Sequence, residues 1–168
     1  MTGAVVRPAL PEDLPTVAGI WVRSWQVGYA GIVPPAALDA QDPDHRLRQL
    51  RQPAPGTELS VAAVDAAVVG FVVTGPWRGA DAGADVGEVW AIYVSPEHWG
   101  RGAGRALLDQ GRRRLIARGY QELRLWVLAD NARARRFYES SGWGFDGATQ
   151  TYQIGGVELP EVRYRTLA

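Results

Sequence analysis

The chain has 168 residues, no net formal charge and an apolar content of 46%, with seven tryptophans, six tyrosines and three phenylalanines. That length fits one ordinary domain, and so many apolar and aromatic residues exclude a disordered chain, so we expect a folded, soluble protein. The absence of cysteine excludes disulfides, thiolate metal sites and a cysteine nucleophile, and favours a reducing, cytoplasmic location.

Apolar spacing, caps and turn residues divide the chain into strands and helices. The first half of the chain predicts a strand at 5–7, a helix that begins at 11–13, a weaker helix over about 35–51 interrupted at Asp42-Pro43, and a hairpin of 58–64 and 67–74. A loop of 75–87 and a strand at 88–95 follow, and then a helix that comes after the glycines at 100, 102 and 104 and ends at Gly119. The remaining predicted elements are a strand at 123–128, a helix capped by Asp130-Asn131 and ended by Gly142, and strands at 143–152 and 157–167. This order predicts a mixed α/β sheet in a single domain spanning 1–168.

Basic charge is concentrated in one part of the chain. All 18 basic residues are arginine, and residues 99–136 hold ten of them against three acidic residues. Such a block suits a polyanionic small molecule or a nucleic acid, but it is equally typical of solvated helix faces. It lacks the aromatic and basic interleaving of RNA-binding motifs, so we expect no nucleic-acid partner.

The start of the chain and its apolar runs give no sign of a secretory signal or of a membrane helix. The first eight residues lack the basic patch and apolar stretch of a secretory signal. The longest uncharged apolar run, 66–73, is far shorter than the roughly 20 residues of a membrane helix. We therefore expect no membrane association.

Three glycines at alternate positions, Gly100, Gly102 and Gly104, lie between a predicted strand and a predicted helix. Backbone N–H groups without neighbouring Cβ atoms can converge there on an anion at the positive end of the helix. The chain has no lysine for a P-loop, and the spacing does not fit the dinucleotide fingerprint. The loop therefore predicts a phosphate site of another kind, with an unliganded helix entry as the alternative.

Residues 94–108 contain this loop, and residues 125–139 with Gly142-Trp143 form a second motif. Together they resemble the two acetyl-CoA-binding motifs of the GCN5-related N-acetyltransferase (GNAT) superfamily. The resemblance implies a mixed, mostly antiparallel sheet of about six to seven strands flanked by about four helices. Trp99 stands where the family usually has Gln or Arg, which is expected to weaken cofactor binding, and Arg101 or Arg105 could supply the charge.

The resemblance also implies the site residues. The implied cofactor-binding residues are Ile92, Tyr93, Val94, Trp99, Gly100, Arg101, Gly102, Ala103, Gly104, Arg105, Asn131, Arg135 and Tyr138. Tyr138 stands at the position of the general acid, with a core tyrosine as the alternative. Glu88 resembles the general base of histone-modifying members, with a solvated edge carboxylate as the alternative. In the predicted strand, Glu88, Trp90, Ile92 and Val94 share one face, and Val89, Ala91 and Tyr93 share the other.

The acceptor site is less defined by the sequence. Trp25 and Tyr29 are four residues apart on the first helix, and with Trp90 they form a candidate aromatic substrate site, although such a pair is also typical of a core. His45 and His98 have no partners at metal or nucleophile spacing, so we expect both on the surface and no metal.

These features together predict an acyltransferase that moves an acetyl group from acetyl-CoA to a small-molecule or peptide primary amine, with CoA as product. Attack within a ternary complex is expected, because no cysteine can carry the acetyl group. The alternative is a non-catalytic acyl-CoA-binding or sensing module. A homodimer stays open, since homodimers are common among similar proteins.

Overall fold

The computed structural model describes residues 3–81 and 83–168, so residues 1 and 2 of the chain start and residue 82 of the predicted loop lie outside the description. The strands are β1 (Val5–Pro8), β2 (Glu58–Val64), β3 (Ala67–Pro76), β4 (Val86–Val94), β5 (Glu122–Leu128), β6 (Gly144–Ile154) and β7 (Val157–Leu167). The helices are α1 (Leu14–Gly28), α2 (Pro35–Asp39), α3 (Pro43–Leu50), α4 (Ala103–Ala117) and α5 (Ala132–Ser140). Short 3₁₀ turns lie at Pro11–Asp13 and Pro96–His98. In these described ranges no helix has the length and apolar character needed to cross a bilayer.

The strands form one seven-stranded sheet in the order β1-β2-β3-β4-β5-β7-β6. The pair β4 and β5 is parallel, and every other neighbouring pair is antiparallel. The predicted mixed, mostly antiparallel sheet is thus confirmed. Five helices form where about four were expected, because Asp42 is extended and caps α3 by accepting hydrogen bonds from the backbone N–H groups of Asp44 and His45, which separates α3 from α2.

Each face of the sheet carries its own apolar cluster. Leu107 and Leu108 of α4 pack with Tyr138 of α5 on one face. Val17 and Ile20 of α1 pack with Phe71 of β3 on the other face. A third cluster, around Trp25 of α1 and Leu128 of β5, lies where the helices meet the end of β5. The helices therefore hold the sheet from both sides.

The two central strands separate along their length. β4 and β5 pair only from Val86 opposite Glu122 to Glu88 opposite Arg124. Beyond Glu88, β4 continues alongside β3 as far as Val94, and β5 continues alongside β7 as far as Leu128. The facing edges of β4 and β5 are therefore unpaired with one another over the rest of their length, which opens a V-shaped gap in the middle of the sheet.

A β-bulge in β4 corrects the predicted strand faces. Val73 lies opposite Ala91 and Thr74 lies opposite Val89, so Trp90 is the extra residue. A bulge shifts the alternation of side chains by one position. Val89, Ile92 and Val94 consequently pack in the cluster with α4, whereas Ala91 and Tyr93 pack with α1. The prediction that Glu88, Trp90, Ile92 and Val94 share a face is wrong, because regular alternation does not continue through Trp90.

The backbones of β3 and β4 approach each other closely at Gly70 of β3. A Cβ atom at Gly70 would lie 2.8 Å from the backbone oxygen of Tyr93 and 3.0 Å from side-chain carbons of Leu107 and Val94. We expect Gly70→Ala to lower the free energy of unfolding by roughly 1–3 kcal/mol, because the backbone oxygen cannot move without disturbing β4.

The matched control is Gly19→Ala in α1, where a Cβ atom would meet nothing within 4 Å. Removing an exposed helical glycine should raise the free energy of unfolding by up to about 1 kcal/mol. Urea denaturation followed by tryptophan fluorescence measures both changes. Equal stabilities for the two variants would contradict the close approach at Gly70.

Candidate active site

The gap between β4 and β5 widens into a cleft of about 990 Å³. The predicted site residues that line it are Glu88, Trp90, Ile92, Tyr93, Val94, Trp99, Gly100, Gly102, Gly104, Arg105, Asn131, Tyr138, Trp25 and Tyr29. Arg101, Ala103 and Arg135 do not line it. The structure thus brings fourteen of the seventeen predicted residues together around one space.

The glycine loop has the backbone geometry that the sequence suggested. Gly100 and Gly102 have φ values of +73° and +89°, which favour glycine strongly over other residues. Gly102 is the N-cap of α4, and no side chain caps this helix. The first N–H groups of α4 are therefore left for an anion. Ala103 is 2% exposed as a whole residue.

The arginines near this loop differ from one another. Arg105 lines the cleft, but it donates hydrogen bonds to the backbone oxygen of Ser140 at 3.1 Å and to Asp109 at 3.4 Å. Arg101 is exposed outside the cleft lining. Arg135 donates to the hydroxyl of Tyr164 and to the backbone oxygen of Ala129, both at 3.1 Å. Arg135 therefore connects α5 to β7 and the end of β5, and the expected contact with cofactor has no geometric support.

Trp99 is built into the wall of the cleft. Its Nε1–H donates to the backbone oxygen of Val94 at 2.7 Å, and the Ser24 hydroxyl donates to the same oxygen at 3.1 Å. The guanidinium of Arg133 lies 3.3 Å from the centroid of the Trp99 ring. Partial burial lowers the pKa of Arg133. Sequence reasoning counted Arg133 only as part of the basic block, and nothing in its spacing indicates the stack on Trp99.

Tyr138 and Asn131 lie at the α5 side of the cleft. Asn131 caps α5 by accepting a hydrogen bond from the backbone N–H of Ala134 at 3.1 Å, as predicted. Tyr138 is 8% exposed, and its ring packs against Phe137, Trp143 and Tyr164. Burial raises the pKa of the Tyr138 phenol, so the group keeps its proton at neutral pH. Tyr138 is thus a core residue that also lines the cleft.

Glu88 sits at the closed end of the gap and is only 1% exposed. Arg78 holds both of its carboxylate oxygens: the backbone N–H donates to Oε2 at 3.1 Å, and Nη2 of the guanidinium donates to Oε1 at 2.5 Å. The alternative of a solvated edge carboxylate is therefore wrong, because β3, β5 and Arg78 surround Glu88. Any proton transfer to Glu88 takes place beside a bound guanidinium.

The aromatic residues predicted as an acceptor site form a connected group. Trp25 donates through Nε1–H to the hydroxyl of Tyr93 at 2.9 Å, and the hydroxyls of Tyr29 and Tyr93 lie 3.1 Å apart. Burial raises the pKa of Tyr29 well above its usual value. Trp90 donates to the backbone oxygen of Pro76 and lies 4.3 Å beneath the guanidinium of Arg78. These side chains are at once core and cleft wall.

The segment predicted as a plain loop contributes a second wall that sequence reasoning missed. Trp77 stacks on Trp126 of β5 with ring centroids 6.0 Å apart. Asp81 accepts hydrogen bonds from Arg163 at 2.6 Å and from Trp77 at 2.8 Å, and these bonds lower its pKa to about 2. His98 was expected on the surface, but it is half-buried, lines the cleft and lies 3.0 Å from the Ser95 hydroxyl.

Two further charged residues in the lining were not predicted. Arg46 of α3 reaches the cleft across the rings of Trp21 and Trp25. Glu161 of β7 is half-buried in the lining. Their spacing in the sequence carries no signal, because they come close only when α3 packs on α1 and β7 pairs with β5.

Comparison with known proteins shows the family to which the chain belongs. A sequence model of the acetyltransferase (GNAT) family matches residues 19–143. The chain is 31% identical to Uncharacterized N-acetyltransferase YuaI of Bacillus subtilis over 157 residues, which cover 94% of this chain and 89% of that protein.

Two solved structures show the same fold. The yncA protein of Salmonella typhimurium, solved with its cofactor acetyl-CoA, superposes with a TM-score of 0.75 at 23% identity, and the match covers 99% of this chain and 94% of the yncA chain. The paia N-acetyltransferase of Thermoplasma acidophilum, solved with coenzyme A, superposes with a TM-score of 0.73 at 19% identity, and the match covers 99% of this chain and 100% of the paia chain. The sequence matches place this chain in the acetyltransferase (GNAT) family, which confirms the predicted class of enzyme, an acyltransferase, and acetyl-CoA as the donor of that class.

Proposed function

We propose that this chain is a single-domain N-acetyltransferase that transfers the acetyl group of acetyl-CoA directly to a primary amine. The observation that carries the proposal is the unpaired edge of β4, which faces a cleft that ends at the positive-φ glycines before α4. An extended chain can add to such an edge by backbone hydrogen bonds while its phosphates lie at the start of the helix. The cytoplasmic location and the homodimer stay predictions.

The lining residues fit coenzyme A along its length. The edge of β4 at Ile92, Tyr93 and Val94 suits the pantetheine arm, and the N–H groups at the start of α4 suit the pyrophosphate. The backbone oxygen of Val94 already accepts two hydrogen bonds, from Trp99 and Ser24. Pantetheine must therefore use other groups of this edge, and Trp99 holds the edge in position instead of binding phosphate.

Acetyl-CoA supplies an activated acetyl group as a thioester, whose sulfur leaves when the amine nitrogen bonds to the carbonyl carbon. We assign the proton for that sulfur to the hydroxyl of Tyr138. The phenol is buried, protonated at neutral pH and without a hydrogen-bond partner among the described residues. A donor that is free in the resting protein can turn fully toward the leaving group.

We assign the removal of the amine's proton to Glu88, acting through water. The carboxylate lies at the closed end of the gap, beside the β4 edge. Because Arg78 occupies both oxygens, direct contact with the amine would require Arg78 to move, whereas a water molecule can connect the two groups. Arg78 also fixes the orientation of the carboxylate toward the cleft.

Binding of the cofactor should stabilise the protein against unfolding. A ligand at about 1,000 times its Kd stabilises a protein by roughly 4 kcal/mol, which for a chain of this size raises the Tm by roughly 8–16 °C. We expect this rise with acetyl-CoA and with CoA, and no rise with NADH or ATP at the same concentrations. Thermal unfolding measures the effect, and an unchanged Tm with both CoA species would contradict the proposed function.

Replacing Tyr138 should affect catalysis and not stability. We expect Tyr138→Phe to lower kcat by about 100-fold or more, because general acid catalysis typically contributes roughly that factor. The Tm and its rise with CoA should stay close to those of the wild type, since the phenol has no hydrogen-bond partner among the described residues.

Tyr120→Phe is the matched control. Tyr120 packs beside Gly87 at the sheet and does not line the cleft. Its variant should retain the wild-type rate of CoA release from acetyl-CoA and an amine. A rate for Tyr138→Phe within twofold of the control would remove Tyr138 as the acid.

The pH dependence of a Glu88 variant distinguishes a general base from a residue with only a structural role. We expect Glu88→Gln to lower kcat/KM by roughly 100-fold near pH 7. The ratio of wild-type to variant activity should shrink as the pH rises, because the amine loses its proton to solvent at high pH and no longer needs the carboxylate. A constant ratio at every pH would mean that Glu88 only positions Arg78.

Glu58→Gln is the control for this profile. Glu58 of β2 pairs with Arg114 at 2.7 Å, and neither residue lines the cleft. Its removal tests the effect of losing a carboxylate and arginine pair elsewhere in the fold. The variant should keep the pH profile of the wild type.

A further inference from the structure

The charges in the lining of the cleft are mostly neutralised within the chain. Its arginines with a carboxylate partner are Arg78 with Glu88, Arg105 with Asp109, and Arg163 with Asp81 and Asp146. Two lining arginines, Arg46 and Arg133, have no carboxylate partner among residues 3–81 and 83–168. Arg133 lies beside Trp99 and the glycine loop, at the end assigned to CoA. Arg46 lies at the other end, among aromatic residues of α1 and β6.

Arg46 is held in place by neutral groups and has no anionic partner among the described residues. Its guanidinium lies 4.5 Å from the ring centroid of Trp21 and 5.2 Å from that of Trp25. It donates to the side-chain oxygens of Gln41 at 2.9 Å and Gln49 at 3.1 Å, which are both neutral. A guanidinium has five N–H donors, so these two bonds leave donors for a ligand. Burial lowers the pKa of Arg46, as expected for a desolvated cation without a counterion.

One carboxylate in the lining also has no ion-pair partner among the described residues, although the charge of Arg78 acts on it from a greater distance. Glu161 accepts a hydrogen bond from the side-chain amide of Gln150 at 2.7 Å, and no ion pair involves it in the described ranges. Burial raises the pKa of Glu161. Tyr152 of β6 connects the surroundings of the two groups, because its ring centroid lies 6.3 Å from that of Trp25, over which Arg46 lies. Tyr152 is also two residues along β6 from Gln150, which donates to Glu161. The two charges of opposite sign therefore line the same cleft on either side of one aromatic residue in the contact network.

Arg46 and Glu161 are both half-buried, and a partly desolvated charge without a partner is costly, so a ligand that completes each pair would be stabilised there. A planar guanidinium fixed on aromatic rings fits a carboxylate through two parallel hydrogen bonds. An ammonium group fits a carboxylate that is partly desolvated. The aromatic rings of the same cleft provide an apolar surface for the rest of the molecule.

We propose that the acceptor is an amino carboxylic acid, whose ammonium group binds Glu161 and whose carboxylate binds Arg46. This inference rests on the proposed function, since it names the class of amine that the same cleft would acetylate. Arg46 and Glu161 act here as residues that determine specificity. Proton removal and donation stay with Glu88 and Tyr138.

The test compares each acid with its neutral amide. We would measure CoA release with L-phenylalanine, 4-aminobutanoate and 6-aminohexanoate, each beside the primary amide of the same compound. The three acids vary the separation of the two charges, and each amide keeps the amine while it removes the anion. We expect at least one acid to exceed its amide in kcat/KM by roughly 10- to 100-fold, the usual effect of a hydrogen bond to a charged group.

Variants assign the effect to residues. Arg46→Gln should bring kcat/KM for the acid down to within about threefold of that for its amide, and Arg46→Lys should restore part of the preference. Glu161→Gln should lower kcat/KM for the acid and the amide alike. Arg48→Gln is the control on the same helix, because Arg48 is exposed, pairs with Asp42 at 3.8 Å and does not line the cleft.

The outcomes separate this inference from the proposed function. If amides or other amines release CoA as fast as the acids do, or faster, the N-acetyltransferase stands and the amino acid acceptor is wrong. An acid preference that survives in Arg46→Gln also overturns the assignment. If neither these compounds nor spermidine, tryptamine and a peptide N-terminus release CoA, the proposed function itself fails.

Discussion

The separation of β4 from β5 after Glu88 is the constraint on which the rest of the structure depends. Parallel strands normally pair along their whole length, because an unpaired N–H or C=O group inside a protein is costly. Here three residue pairs join the strands, and the remaining edges diverge. Each strand keeps its outer neighbour, β3 or β7, so the sheet stays intact while its centre opens.

The gap needs support from both sides, and aromatic side chains supply it. Trp99 ties the end of β4 to the segment before α4, and the Trp77 and Trp126 stack covers the side of β5. Tyr93 at the end of β4 joins Trp25 and Tyr29 of α1 through its hydroxyl. These contacts hold the exposed strand edges apart without filling the space between them.

The use of arginine alone as the basic residue has a structural counterpart in the cleft. Guanidinium planes lie over indole rings at Trp21, Trp25, Trp77, Trp90, Trp99 and Trp126. A planar cation can stack on a ring and still donate hydrogen bonds at its edge, which an ammonium group cannot do in the same way. The walls of the cleft depend on this geometry. Arg78 lies over an indole ring and is paired with Glu88, so it is part of the cleft wall. Arg46 also lies over an indole ring but has no carboxylate partner among the described residues.

Local signals in the chain were enough to predict the order of strands and helices, the break at Asp42-Pro43, the glycine loop, and the two motifs that contain Asn131 and Tyr138. These features depend on near neighbours in the chain, because apolar spacing, caps and positive-φ glycines act within a few residues. The bulge at Trp90, the buried pairing of Glu88 with Arg78 and the place of Arg135 outside the cleft depend instead on contacts between distant parts of the chain. The tertiary structure alone also brought Arg46, Glu161 and Arg133 to the lining, because their positions depend on how α3, β7 and α5 pack against elements far away in the sequence.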